Sequence, residues 1–284
     1  MAMRAEPDVD LEGLSDVEAT IDFTNPKDFT KTVQSFFLNA NARDPVGDHT
    51  VLVTGYPNKW FNPDNDKSTL APGAHKALYY HNTEILLLTM LGLPHEIAAR
   101  EFSDSFIIKI DAMGCRDDIM STGGATRSMS NISKEPDASW GPDTALPPTY
   151  YSTFILEAGA SESGRALGRD AKIWLEHEES HVTQVITIKI SRRRPEIVFT
   201  VWKRGREHRD TRANHPLRAV VDQQIQVTLQ EGRPVADGML RLSFEEIFER
   251  PQQLGTAEGD LTFSTRELGA IARKVWRRMG NDIE

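Results

Sequence analysis

The chain holds a single cysteine, Cys115, in 284 residues. That excludes an intrachain disulfide and a zinc ion held by several thiolates, and makes a reducing compartment the default. Long hydrophobic runs are also missing. The longest, Ile85-Leu86-Leu87-Leu88 and its neighbours, falls far short of the roughly 18 residues that cross a bilayer, and it predicts a buried helix. Residues 1–13 are acidic and polar, without the charged-then-apolar layout of a secretory signal. The expectation is an intracellular protein, cytoplasmic or nuclear, with no membrane partner. There is no Gly-x-x-x-x-Gly-Lys-Ser/Thr loop to cradle a nucleotide, and no Gly-x-Ser-x-Gly elbow to present a serine nucleophile. His75 and His81 are six apart and share no helix face well.

What is present is ordinary for a globular protein: 39% hydrophobic and 26% charged residues. The length suits one large domain, or a core with extensions. A net charge of -9 argues against indiscriminate binding to nucleic acid. The distribution qualifies this, because Arg192, Arg193, Arg194, Lys203, Arg204, Arg206, Arg209, Arg212 and Arg218 form a local basic block. Such a block is either a solvated strand edge and loop or a phosphate-binding surface.

Periodicity sets the expected elements. Residues 1–30 read as a loosely docked lead-in, and Thr50–Thr54 as a strand. A loop follows over Asn58–Gly73, then a helix over Ala74–Leu91, stopped by Gly92 and Pro94. Ser105–Ile110 and Lys134–Trp140 read as strands, with a Gly- and Ser-rich loop or hairpin between them. Tyr150–Leu156 is a strand and a helix then runs to about His177, opened by Ser161 or Ser163. Val182–Ile190 has the β-branched run of a central strand, and Glu196–Trp202 is another. Ile225–Leu229 and Met239–Phe244 form a strand pair. Ser264 or Thr265 opens a basic terminal helix to Met279. Trp140, Trp174, Trp202 and Trp276 suit a core better than a stacking platform. A strand–helix–strand crossover within this order predicts an α/β fold with a mixed central sheet flanked by helices. The expected division is an N-terminal extension over 1–73, a core over 74–204 and a C-terminal strand-and-helix extension over 205–284.

Two segments carry chemistry. In Lys134-Glu135-Pro136-Asp137-Ala138-Ser139-Trp140, Asp137 follows a proline at a strand start. In Phe154-Ile155-Leu156-Glu157-Ala158-Gly159, Glu157 ends a run of bulky strand residues. Two carboxylates side by side call for a neutralising cation, and hard oxygen ligands favour Mg2+ or a similar ion.

Pro136-Asp137 with Glu157 about one hairpin later resembles the PD-(D/E)XK nuclease superfamily. The wider run, through Pro147-Pro148 and Leu156–Ser163 to Leu167-Gly168-Arg169-Asp170-Ala171-Lys172-Ile173-Trp174-Leu175, is similar to a fungal group of that superfamily. The resemblance covers residues 74–202 and implies a restriction-endonuclease-like core. It also implies Mg2+ or Mn2+ on Asp137, Glu157 and the carbonyl of Ala158, nucleic acid as the partner, and a homodimer for double-strand cleavage. The superfamily's lysine would stand at Gly159. Some members carry the basic residue on the next helix, a role that suits Lys172, whose other reading is a surface lysine paired with Asp170 or Glu176. Lys189 on the next strand is a second candidate. Glu84 is an accessory acid if the early helix faces the site, and otherwise a solvated first-turn residue. Ser161 and Ser163 either cap the helix or bind phosphate, and Glu162 complements its dipole. The basic residues Arg192, Arg193, Arg194, Lys203 and Arg204 would meet the phosphate backbone. Two functions follow: a metal-dependent nuclease hydrolysing phosphodiester bonds, or a catalytically inactive nuclease-fold module for binding or assembly.

Overall fold

The computed structural model describes Leu14 and residues 16–62, 70–144, 150–160, 164–206, 217–281 and 283. Ser161, Glu162, Ser163, Pro147, Pro148, Arg209 and Arg212, singled out above, lie outside the described residues, as does the side chain of Arg206. Mixed α/β architecture is observed, with mixed sheets flanked by helices. Among the described residues, no helix is long and apolar enough to cross a membrane.

The first sheet contains β1 (Val17–Asp22), β2 (His49–Thr54), β3 (Lys76–Tyr80), β4 (Ile85–Met90), β6 (Arg127–Met129) and β7 (Ile132–Lys134), in the order β1-β2-β4-β3-β7-β6. β1 and β2 run parallel, joined through helix α1 (Pro26–Arg43). Asn25 caps α1 by accepting from Asp28 N, and Pro26 takes the first helical position, where no N–H is needed. The lead-in expected over 1–30 therefore holds a strand and a helix start. The sheet also spans the expected boundary at residue 73.

The helix expected over Ala74–Leu91 is instead the antiparallel hairpin β3–β4, pairing Lys76 with Thr89 through Tyr80 with Ile85. Both faces of this hairpin are buried, so its apolar residues show no alternation to betray a strand. Ala77, Tyr79, Leu86 and Leu88 pack with Val51 and Val53 beneath Phe29, Val33 and Phe37 of α1. Leu78 and Leu87 point to the opposite face, into a core shared with the second sheet.

The second sheet contains β5 (Ile119–Ser121), β8 (Ala138–Pro142), β9 (Phe154–Ala160), β10 (Gln184–Ile190), β11 (Glu196–Arg206), β12 (Leu217–Gln230) and β13 (Arg233–Ala236), in the order β13-β12-β11-β10-β9-β8-β5. β9 and β10 are parallel, and helix α3 (Arg165–Glu176) crosses between them. One face of this sheet, with Leu156, Ala158, Ile186, Ile188 and Phe199, packs on Phe102 and Phe106 of helix α2 (Leu93–Ala112) and on helix α5 (Thr265–Arg278). Ser105–Ile110 thus belongs to α2, whose buried Ala99, Phe102, Phe106 and Ile110 recur at helical spacing. Ser264 and Glu267 form a reciprocal capping box that starts α5. The expected pairing of Ile225–Leu229 with Met239–Phe244 is replaced by two hairpin-like pairs. β12 meets β13 around Glu231-Gly232, and β14 (Leu240–Leu242) meets β15 (Leu261–Phe263) beside the short helix α4 (Phe244–Phe248).

Lys134–Trp140 is not one strand. Pro136 has no N–H to give a ladder, and the chain leaves the first sheet after Lys134 and enters the second at Ala138. Glu135 secures the crossing by accepting from Ala77 N at 2.9 Å and Thr126 Oγ1 at 2.8 Å. Lys134 and Asp137 therefore belong to facing sheets although only three residues apart.

Candidate metal centre between the two sheets

Period-two alternation decides which side chains meet. On β9, Ile155, Glu157 and Gly159 share the face opposite Leu156 and Ala158, towards α3 and the first sheet. On β3, Lys76 lies on the same face as Leu78, and Leu78 registers with Lys134 on β7. Two lysines of one sheet thus look across at a glutamate of the other. Glu157 is the fourth of seven residues in β9 and fully buried, not at a strand end as expected.

The carboxylates of Asp137 and Glu157 converge. Lys76 Nζ lies 2.7 Å from Asp137 Oδ1 and also donates to Glu157 Oε2. The remaining oxygens are held from outside. Asp137 Oδ2 accepts from Ala158 N at 2.6 Å and has His95 Nε2 at 3.1 Å. That His95 contact is an ion-pair approach without hydrogen-bond alignment, and Nε2 makes no hydrogen bond. Glu157 Oε1 accepts from Trp174 Nε1 at 2.6 Å and meets Lys134 Nζ at 3.1 Å. Lys134, only 2% exposed, also reaches Asp170 Oδ1 at 3.1 Å, which Arg169 contacts at 3.0 Å. Asp48 completes the far end. It accepts from His95 Nδ1 at 2.9 Å, Gly92 N at 2.8 Å and Ala160 N at 2.7 Å.

Burial alone would raise the carboxyl pKa values and lower those of the bases. The pairing overrides it. Burial pushes Asp137 up, but His95, Lys76 and the Ala158 amide hold it well below the usual carboxylate range. Burial pushes Asp170 up as well, but Lys134, Arg169 and Lys76 bring it down to about 2. Burial opposes charge on His95 and Lys76, yet Asp137 and Asp48 keep the imidazole protonated well above its ordinary range. Asp137, Glu157 and Asp170 raise Lys76 likewise. The cluster sets Asp48, Asp137, Glu157 and Asp170 against His95, Lys76, Lys134 and Arg169.

A cavity of about 280 Å³ opens on this network, with Asp48, Lys76, His95, Lys134, Arg169 and Asp170 among its lining. A second, of about 220 Å³, reaches Lys76, His95 and Asp137 from the other side. The donor set fits a hard divalent ion. One oxygen from each carboxylate faces a single shared point, and Ala158, whose carbonyl was expected as a third ligand, lines the larger cavity.

The other expected residues are arranged differently. Lys172 is exposed on α3, between the inward-turned Ala171 and Trp174, and the ammonium groups at the acid pair are those of Lys76 and Lys134. Gly159 lies against Leu167, which a Cβ would meet at 3.5 Å. Lys189 registers with Gly159 one strand over, its stem against Gly164. Glu84 sits in the β3–β4 turn at φ 53°, where its carboxylate accepts from Asn58 N, so the accessory role on an early helix falls away with that helix. The basic block is engaged locally. Arg192 pairs with Asp44, Arg194 with Glu196 at 2.9 Å, and Lys203 with Asp222 at 3.3 Å. Arg204 donates to the carbonyls of Leu175 and Ser180 at 3.0 and 2.7 Å, closing the end of α3. Arg193 is exposed. His177 and His181 have the i, i+4 spacing of a metal pair, but α3 ends at Glu176. His177 turns to Asn131 at 2.9 Å and His181 stacks on Tyr151.

Lys76, His95 and Asp48 had no assigned role in the sequence, and Asp170, expected only as a candidate partner of Lys172, pairs instead with Lys134 and Arg169. Lys134 and Asp170 stood inside the quoted motifs, and Gly92 with Pro94, read above as a helix stop, in fact open α2 just before His95; Asp48 and Lys76 carry no local signal. No model of a known protein family matches the chain, and no curated protein matches it. Among solved structures it resembles a protein from Anabaena variabilis described as a "putative nuclease belonging to DUF820", at 10% identity over 69% of this chain and 90% of that one, with a TM-score of 0.40.

Proposed function

We propose that the Asp137–Glu157 cluster is a divalent-metal site of the PD-(D/E)XK kind that hydrolyses phosphodiester bonds of nucleic acid. The observation that carries this reading is the convergence of Asp137 Oδ1 and Glu157 Oε2 on one cation, the ammonium of Lys76, whose side chain lines the adjoining cavity. Mg2+ or Mn2+ bound there supplies an activated water and a Lewis acid for the phosphoryl oxygens. Asp137, Glu157 and the carbonyl of Ala158 bind the ion. His95 and the Ala158 amide fix the rotamer of Asp137, while Trp174 fixes Glu157. Lys76 takes the part that the superfamily gives to the lysine missing at Gly159, placing positive charge where the phosphoryl group becomes more negative. Lys134 and Arg169 line the same cavity and add to that field. The location is cytoplasmic or nuclear in this reading, and a homodimer serves double-strand cleavage.

The test is cleavage of mixed single- and double-stranded DNA and RNA by the purified protein with Mg2+ or Mn2+. Wild type cuts, EDTA abolishes cutting, and Asp137→Asn and Glu157→Gln each fall below detection while remaining folded. Undiminished cutting by both variants refutes the assignment. A second reading has its own support: the four carboxylates already meet two lysines, a histidine and an arginine of the chain itself. In that case the chain is an inactive nuclease-fold module, and wild type shows neither cleavage nor metal binding.

A further inference from the structure

We propose that the centre takes one divalent ion per chain and that Lys76 is its tethered competitor, a built-in cation that must leave the two carboxylates before the ion enters. This rests on the metal-site reading above and concerns what limits loading of that site.

The stoichiometry follows from an account of the oxygens. Each carboxylate has one oxygen held by the protein: Asp137 Oδ2 by the Ala158 amide and His95, and Glu157 Oε1 by Trp174 Nε1 and Lys134. These partners lie on β9, α2, α3 and β7, all packed elements, so the oxygens are not free to turn to a second ion. Both oxygens of Asp48 are committed, to Gly92, Ala160 and His95, and Asp170 Oδ1 is held by Lys134 and Arg169 on the far side of Lys134. Asp137 Oδ1 and Glu157 Oε2 are the two oxygens of the pair left to turn towards each other, and they meet at one point, which one ammonium fills.

The competition follows from size and charge. A magnesium ion sits about 2.1 Å from its oxygens, well inside the 2.7 Å from Lys76 Nζ to Asp137 Oδ1. Ion and ammonium cannot share the pair. Lys76 has somewhere to go. Its side chain is 14% exposed and it lines both cavities, so its flexible stem can carry the head group into either. Lys134, by contrast, is 2% exposed and wedged between Glu157 and Asp170. The two lysines are therefore unequal: Lys134 is part of the frame and Lys76 is the occupant.

Mn2+ titration of the full chain by isothermal calorimetry, checked by the loss of the free-ion electron paramagnetic signal, tests this. Wild type should bind one Mn2+, and Lys76→Met should bind one with affinity raised tenfold or more. A measurement on wild type alone covers the case in which Lys76→Met fails to fold. Acylation of Lys76 by an amine-reactive acetylating reagent, followed by peptide mass spectrometry, should rise severalfold when Mn2+ is added, while Lys134 stays protected. Two ions per chain, or one ion with equal or weaker affinity in Lys76→Met and unchanged Lys76 acylation, overturns the inference and leaves the metal site standing. No Mn2+ binding by either protein overturns both.

Discussion

Replacing Lys134 by methionine separates a buried frame from a surface ion pair. The side chain is 2% exposed, and its ammonium stands 3.1 Å from both Glu157 Oε1 and Asp170 Oδ1. Methionine keeps most of the stem volume, so the packing cost is small. The charge cost is not small, because breaking a buried pair from one side costs about 3–5 kcal/mol. Glu157 keeps Trp174 and Lys76, and Asp170 keeps Arg169, which places the expected loss near the bottom of that range, about 3 kcal/mol at pH 7. In wild type, Asp170 titrates at about 2, below its unfolded value of about 3.9. Its ionised form therefore contributes stability that is fully present above about pH 4, of order 2 kcal/mol, and lost as pH falls towards 2. Without Lys134 the Asp170 pKa rises, the orphaned carboxylate takes up a proton at milder acidity, and the gap between variant and wild type narrows from pH 7 to pH 4. Urea unfolding followed by circular dichroism at both pH values measures this, with Lys134→Met/Asp170→Asn closing a double-mutant cycle. A loss below about 1 kcal/mol at pH 7, the size for an exposed pair, or a gap independent of pH, refutes the account.

Other outcomes follow from placement. Lys172→Gln, on the exposed side of α3, should leave metal-dependent cleavage within about twofold and stability within about 0.5 kcal/mol; abolished cleavage returns the catalytic role to Lys172. Arg204→Gln should act on stability, lowering the thermal midpoint by removing two donors to the end of α3, and should leave the salt dependence of nucleic-acid binding unchanged. Gly141→Ala should cost about 3 kcal/mol or more, because its Cβ would stand 2.1 Å from the carbonyl oxygen of Tyr151. Gly159→Ala should cost less than about 1 kcal/mol, its nearest neighbour Leu167 lying at ordinary contact distance. Thermal and chemical denaturation distinguish the two.

Some of this molecule is decided by local sequence. The β-branched run over Val182–Ile190 contains β10, the stripe of Leu167, Ala171, Trp174 and Leu175 is α3, and Ser264 with Glu267 caps α5. In each case the signal and the element are made of the same few residues. The acid pair Asp137 and Glu157 was also visible, because Pro136 and the strand around Glu157 are local features. Tertiary structure decided the rest. The hairpin over Lys76–Met90 is buried on both faces, which erases the alternation that marks a strand, and tertiary pairing overrode the helical spacing read there. With that helix went the role expected of Glu84, and in came Lys76. Asp48, Lys76, His95 and Asp170 are scattered over more than a hundred residues and acquire meaning only where two sheets face each other. A buried charge needs a partner in space, and sequence separation sets no limit on where in the chain that partner comes from.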